Sequence, residues 1–307
     1  MQYPALAQAQ DVRSIMFVPA LSPAYIEKAH LRGADAIIVD LEDSIPPERK
    51  ADGRRAVADA VRAIARHLPT YVRVNNTADL LDDDLRAAAI PELTGIMLPK
   101  AESAEQVRKV AAVLAEQATA AGREQPIALA LLVETPLGIH SIGELAQADP
   151  SVVALVFGSE DYSAGLGVRP TPAAMTVPAQ LLAIAARSRG LAAWGVAGTI
   201  VEISDEETLA TVARDSRQLG FTGTIAVNPR QIPIFNAAFG VTAEEIAWAR
   251  EVLAVFDDAV KQGRAAVAHK GRMIDTPVAV RAQRILARAQ RTGALAGNDA
   301  AGSGSHG

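Results

Sequence analysis

Ile127-Ala128-Leu129-Ala130-Leu131-Leu132-Val133, followed at once by Glu134-Thr135-Pro136, is the stretch that decides the fold. Apolar residues in a row without polar alternation fit a strand buried on both faces, as in a parallel sheet covered by helices. Runs of the same kind recur on either side, at Ser14–Pro19, Ala36–Leu41, Tyr71–Val74, Gly95–Leu98, Val152–Phe157, Leu191–Val196 and Thr224–Val227. Their spacing of roughly 20–40 residues leaves room for one helix and two loops.

The segments between them read as helices. Pro47-Glu48-Arg49 opens one that continues through Arg54–Ala65, with apolar positions at Ala56, Val57, Ala60, Val61 and Ile64. Pro near the first turn with an acid beside it is a helix-start signal. Ser103 is placed to cap a helix that ends near Gly122, and Ser204-Asp205-Glu206-Glu207 begins another that stops at Gly220. About eight successive β–α units predict a closed (β/α)₈ TIM barrel. A doubly wound open sheet is the runner-up, but it usually shows a glycine-rich phosphate loop after an early strand, and Gly158 with Gly165-Leu166-Gly167 is too loosely placed for that. Residues 1–242 make up the predicted barrel. Residues 243–292 read as a helix-only C-terminal extension, Ala243–Phe256 and Pro277–Arg291 around a break at His269–Thr276. Residues 293–307 are small and polar and read as a disordered tail.

Bulk properties narrow the function. The 307 residues are 50% hydrophobic, enough for one large core. A net charge of −5 and a pI near 5.6, without a basic run, argue against a nucleic-acid partner. The absence of cysteine excludes disulfides, thiolate metal sites and cysteine nucleophiles. No secretory signal and no long uncharged apolar run are present, so the expected location is the cytoplasm and no membrane is involved. Asn75-Asn76-Thr77 matches the glycosylation triplet but carries no meaning without such a signal. The five histidines are scattered without ligand spacing.

In a barrel, chemistry sits at the C-terminal ends of the strands. Those ends read Asp40-Leu41-Glu42-Asp43, Arg73-Val74-Asn75-Asn76, Pro99-Lys100-Ala101-Glu102, Glu134-Thr135-Pro136, Gly158-Ser159-Glu160-Asp161 and Asn228-Pro229-Arg230. A carboxylate such as Glu134, ending an apolar strand, is costly unless paired or metal-bound. Adjacent strands lie about 5 Å apart, so Glu134 and Asp161 on neighbouring units can share one hard cation, with Mg²⁺ leaving further positions for water and substrate oxygens. Salt-bridged or capping acids are the competing interpretation. Arg73 suits a carboxylate or a developing oxygen charge, and equally a partner for Asp40 or Glu42. Asp40, Glu42 and Asp43 read as support: one acid holding Arg73, another ordering a metal water, a third solvated.

Taken in order, these motifs resemble the HpcH/HpaI aldolase and citrate lyase beta-subunit superfamily. The carriers are Arg13-Ser14-Ile15-Met16-Phe17-Val18-Pro19, Gly33-Ala34-Asp35 through Asp40-Leu41-Glu42-Asp43-Ser44, Pro47-Glu48-Arg49-Lys50, Arg73-Val74-Asn75, Leu98-Pro99-Lys100, Glu134-Thr135-Pro136-Leu137-Gly138 and Phe157-Gly158-Ser159-Glu160-Asp161. Gly271-Arg272-Met273-Ile274-Asp275 with Pro277 and Ala282-Gln283 is similar to the malyl-CoA and citramalyl-CoA lyases and the citrate lyase beta-like proteins. The resemblance implies a lyase that cleaves a β-hydroxyacyl-CoA to an acyl-CoA and a 2-oxo acid such as pyruvate or glyoxylate. It implies Mg²⁺, with Mn²⁺ as the alternative ion, on Glu134 and Asp161. It implies catalytic roles for Arg73, Glu42 and Asp40, coenzyme A contacts at Arg13, Ser14, Lys28 and Pro229, and a homotrimer or hexamer. It also implies that Asp275 serves a neighbouring subunit as acid/base; read from the residues alone, Asp275 in that break is a helix N-cap. Departures stand at Ala20, where coenzyme A users carry Gly, at Asn228, where His is common, and at Trp194–Gly198, which lacks the usual acids. They leave open a coenzyme-A-independent pyruvate-type aldolase and a thioesterase or non-catalytic member.

Overall fold

The computed structural model describes residues 4–201 and 204–295, so all of the expected tail beyond residue 295 lies outside the described residues. The chain divides into two compact units, Met1–Phe239 and Gly240–Gly307.

In the first unit, eight strands form one sheet: β1 (Ser14–Pro19), β2 (Ala36–Asp40), β3 (Thr70–Arg73), β4 (Gly95–Leu98), β5 (Ala128–Val133), β6 (Val152–Phe157), β7 (Ala192–Trp194) and β8 (Thr224–Ala226). Every pairing is parallel, and the order runs β7-β6-β5-β4-β3-β2-β1-β8. The remaining seam, between β7 and β8, is joined by a bridge from Trp194 to Gly223 and by Thr222 N–H donating to Ala193 O at 2.7 Å. The sheet therefore closes into the expected barrel rather than opening into a doubly wound sheet.

Strand alternation sorts the core into two shells. Ile38, Tyr71, Met97, Leu132, Trp194 and Ile225 pack with one another inside the barrel. Their neighbours Ile37, Val72, Ile96, Leu131 and Ala226 pack outward against the helices. Inside, Tyr71 meets Trp194 edge-on with ring centroids 5.7 Å apart. A helix that the sequence reading did not anticipate, Pro4–Asp11, places Ala9 in this inner cluster and accepts a hydrogen bond from the Trp194 indole at Ala9 O, 3.2 Å. It covers the floor of the barrel.

The helix Lys50–Ala65 buries Val57, Ala60, Val61 and Ile64, a stripe at helical spacing. Ser103 caps Ala104–Ala120 by accepting from Gln106 N–H, and Asp205 caps Glu206–Leu219 by accepting from Thr208 N–H.

The second unit corrects the helix-only reading. The helix Ala243–Lys261 opens with a capping box between Thr242 and Glu245 and runs five residues past Phe256. After it comes an antiparallel hairpin, β9 (Val267–His269) and β10 (Arg272–Ile274), and then the helix Thr276–Arg291. Lys270 and Gly271 link the strands with φ of 47° and 73°, the left-handed pair that a two-residue hairpin turn requires. Strands of three residues are too short to register as alternation. Ala249, Val252, Ile274 and Ala282 form a small core within this unit.

Candidate active site

Register sets the mouth of the barrel. Asp40 pairs with Arg73 across β2 and β3, so both side chains end their strands on the same inward face. Arg73 Nε donates to Asp40 Oδ1 at 2.6 Å and Nη2 to Oδ2 at 2.8 Å, a bidentate fork. Nη1 reaches Asp43 Oδ2 at 3.1 Å, and the guanidinium lies 4.5 Å over the Phe17 ring. Burial opposes the charge of both partners, yet the fork outweighs it. Arg73 is held above the usual arginine value and Asp40 below the usual carboxylate value, the latter aided by Ser44 and Glu42 N–H donors.

Glu42 sits differently. Its Oε2 lies 3.0 Å from Arg73 Nη1 but makes no hydrogen bond, although it is buried. Burial raises the Glu42 pKa despite Arg73 and Lys100. Lys50 Nζ holds the turn beneath it through the carbonyls of Leu41 (3.0 Å) and Glu42 (2.6 Å). Asn75 ties the same turn to the buried Asp84, which Arg54 braces at 2.9 Å.

Glu134 follows the last residue of β5 and is 5% exposed. Its Oε1 accepts from Lys100 N–H at 3.0 Å. Burial, then the charges of Asp161 and Glu42, push its pKa up to about 8. Val133 pairs with Phe157, so Glu134 faces Gly158, where a Cβ would fall 2.5 Å from Glu134 Cβ and 2.7 Å from Oε2. Only glycine leaves that carboxylate its place. Asp161 stands in the first turn of the helix Ser159–Leu166, about half exposed, with Oδ2 3.8 Å from Lys100 Nζ.

Asp40, Asp43, Arg73, Glu134, Gly158 and Asp161 line a cavity of about 660 Å³ that also touches Phe17, Asn228 and Pro229. A buried carboxylate of raised pKa, next to a second carboxylate and open to a cavity, fits a divalent cation. Among the described residues no group of three or more His, Cys, Asp or Glu could hold a metal. The fit is therefore to a two-carboxylate site that leaves positions for water and substrate, as Mg²⁺ prefers.

Two of the expected coenzyme A contacts lie away from the mouth. Arg13 and Ser14 are at the opposite end of β1 from the mouth. Arg13 closes on Asp35 at 2.7–2.8 Å, and Ser14 is buried and donates to Asn236 Oδ1 at 2.7 Å. A motif shows that residues are near a strand, not which end they occupy, and these two serve the floor. Lys28 ends the exposed helix Pro23–Lys28 and does not line the cavity, whereas Pro229 does. In the second unit, Asp275 caps the helix Thr276–Arg291 by accepting from Val278 N–H at 3.3 Å.

Lys100, to which the sequence assigns no role, touches Glu42, Glu134 and Asp161. The signal that points to it is a lysine closing a strand in a mouth crowded with acids.

Comparison with known proteins places this geometry. Residues 13–229 match the HpcH/HpaI aldolase/citrate lyase family. The chain is 33% identical to a citrate lyase subunit beta-like protein of Deinococcus radiodurans over 90% of its length and 96% of that protein. It is 30% identical to the L-malyl-CoA/beta-methylmalyl-CoA lyase of Cereibacter sphaeroides over 92% of its length and 96% of that protein. The structure of CitE from Mycobacterium tuberculosis with magnesium, acetoacetate and coenzyme A superposes with a TM-score of 0.73 at 34% identity, covering 90% of this chain and 97% of that one.

Proposed function

The chain belongs to the HpcH/HpaI aldolase/citrate lyase family, and from that premise we propose that it is a Mg²⁺-dependent carbon–carbon lyase that cleaves a β-hydroxyacyl-CoA of the malyl, citramalyl or citryl type to an acyl-CoA and a 2-oxo acid. The observation that carries the reading is Glu134: a buried carboxylate with its pKa pushed up to about 8, beside Asp161, has its charge restored by a cation. Glu134 and Asp161 would hold Mg²⁺, which when bound supplies Lewis-acid neutralisation of oxygen charge.

The chain's own residues supply the rest. Asp40 fixes the Arg73 fork and keeps its charge at the mouth, where it stabilises oxygen charge that develops as the bond breaks. Glu42 lies between Arg73 and Lys100 and orders both cations. In this reading the hydroxyl gives up its proton to water as its oxygen becomes the carbonyl of the 2-oxo acid, and the electron pair of the broken carbon–carbon bond passes to the thioester half as an enolate. Asp275 of a neighbouring copy returns a proton to its carbon, or removes that proton in the synthetic direction. A homotrimer or hexamer belongs to the same proposal.

Asn228 lines the cavity and favours the second reading, an aldolase of the pyruvate type that does not use coenzyme A. Calorimetric titration with acetyl-CoA and with pyruvate or glyoxylate, each with and without Mg²⁺, decides between them. The lyase reading expects acetyl-CoA to bind and the oxo acid to bind only with metal. Oxo-acid binding without any acetyl-CoA binding favours the aldolase.

A further inference from the structure

Lys100 combines three observations. Its φ is +48°, a left-handed backbone at a residue with a side chain. The described residues contain one other such case outside glycine, Lys270, where the hairpin turn requires it. At Lys100 the surroundings impose it instead. Asn76 Nδ2 donates to Pro99 O at 2.6 Å and Lys100 O at 3.3 Å, Gln106 holds Asn76 at 3.1 Å, and Ala101 N–H donates to Leu132 O at 3.1 Å. Strain held in place this way collects at functional sites.

The backbone conformation turns the amide of Lys100 onto Glu134 Oε1 at 3.0 Å. The ammonium meanwhile lies 3.1 Å from Glu42 Oε1 and 3.8 Å from Asp161 Oδ2. One residue thus contacts carboxylates from three strand ends, two of them the proposed metal ligands.

We propose that Lys100 is a positioning residue of the metal site: its amide aims Glu134, and its ammonium is the counter-charge that Asp161 gives up when a divalent cation arrives. This rests on the reading that Glu134 and Asp161 hold the cation. The ammonium then competes with the metal for Asp161 and offsets part of the negative charge of the mouth when no metal is bound. Removing the charge while keeping the amide strengthens metal binding, the opposite of what loss of a merely structural residue does.

The test is calorimetric titration of the full chain with Mg²⁺ alone, at low salt and about pH 9, where Glu134 is ionised. Lys100→Met and Lys100→Gly both retain the amide, and the glycine variant also relieves the left-handed strain, so it decides the matter if the methionine variant does not fold. Both are expected to bind Mg²⁺ roughly tenfold tighter than the native chain, the order expected for a unit charge near a divalent ion in a half-exposed site. Lys100→Arg, which keeps the charge, stays near the native affinity. Unchanged or weaker binding in the glycine variant overturns the proposal. If the native chain itself binds no Mg²⁺, the metal reading fails and this proposal falls with it; native binding with unmoved variants overturns this proposal alone.

Discussion

The two ends of the barrel treat charge in opposite ways. At the floor, Arg13 and Asp35 form one closed pair, Ser14 is satisfied by Asn236, and the Trp194 indole is satisfied by Ala9. At the mouth, Asp40, Glu42, Asp43, Glu134 and Asp161 face Arg73 and Lys100, leaving more negative than positive charge. Glu42 keeps a buried oxygen without a hydrogen bond, and the Glu134 pKa rises to about 8. The floor is balanced for stability. The mouth is left short of positive charge, which is what the proposed binding of a cation there requires.

Arg73→Met is the strongest way to break the contrast. It strands Asp40 and Glu42 in a buried setting, so an expected loss of about 3–5 kcal/mol in urea unfolding accompanies loss of activity. A stable variant with unchanged turnover would show that the fork has no structural or catalytic role.

Asp275→Asn asks whether the mouth is completed from outside. The amide oxygen still caps the helix at Val278, so stability holds while kcat is expected to fall about 100-fold or more with KM little moved. An unchanged kcat leaves Asp275 as a cap only.

Glu134→Gln probes the charge deficit directly. The folded pKa of about 8 exceeds that of an unfolded glutamate, so the native state keeps a proton that the unfolded chain releases between roughly pH 4 and pH 8. Stability contributed by this group is present at low pH and lost as pH rises through that window. In EDTA, the glutamine variant should therefore match the native stability near pH 4 and exceed it above pH 8 by about 2 kcal/mol or more, with a correspondingly higher Tm. Equal Tm values at both pH extremes would contradict the raised pKa.

Arg13→Met is the smallest effect. The pair is partly exposed, so a cost of about 1 kcal/mol is expected, with kcat/KM unchanged. A large drop in coenzyme A affinity would return Arg13 to the binding site.

What the sequence made legible follows from range. β1, β4 and β6 were readable to the residue because buried runs declare themselves locally. Arg73, Glu134 and Asp161 stood out because each closes a strand or its following turn. Lys100 did not, since its partners Glu42 and Asp161 lie 58 and 61 positions away and only barrel closure unites them. The hairpin at Val267–Ile274 was hidden by its three-residue strands, and the placement of Arg13 and Ser14 by the fact that a motif does not say which end of a strand faces the cavity.

The central claim is that Glu134 and Asp161 together hold one divalent cation that turnover requires. Its most direct test is Mg²⁺ calorimetry at about pH 9 on the native chain, Glu134→Ala and Asp161→Ala, with folding checked by circular dichroism. The predicted result is a single site in the native chain, lost in both folded variants together with EDTA-sensitive turnover. Mg²⁺ binding that survives in both variants, or full activity in EDTA, would contradict it.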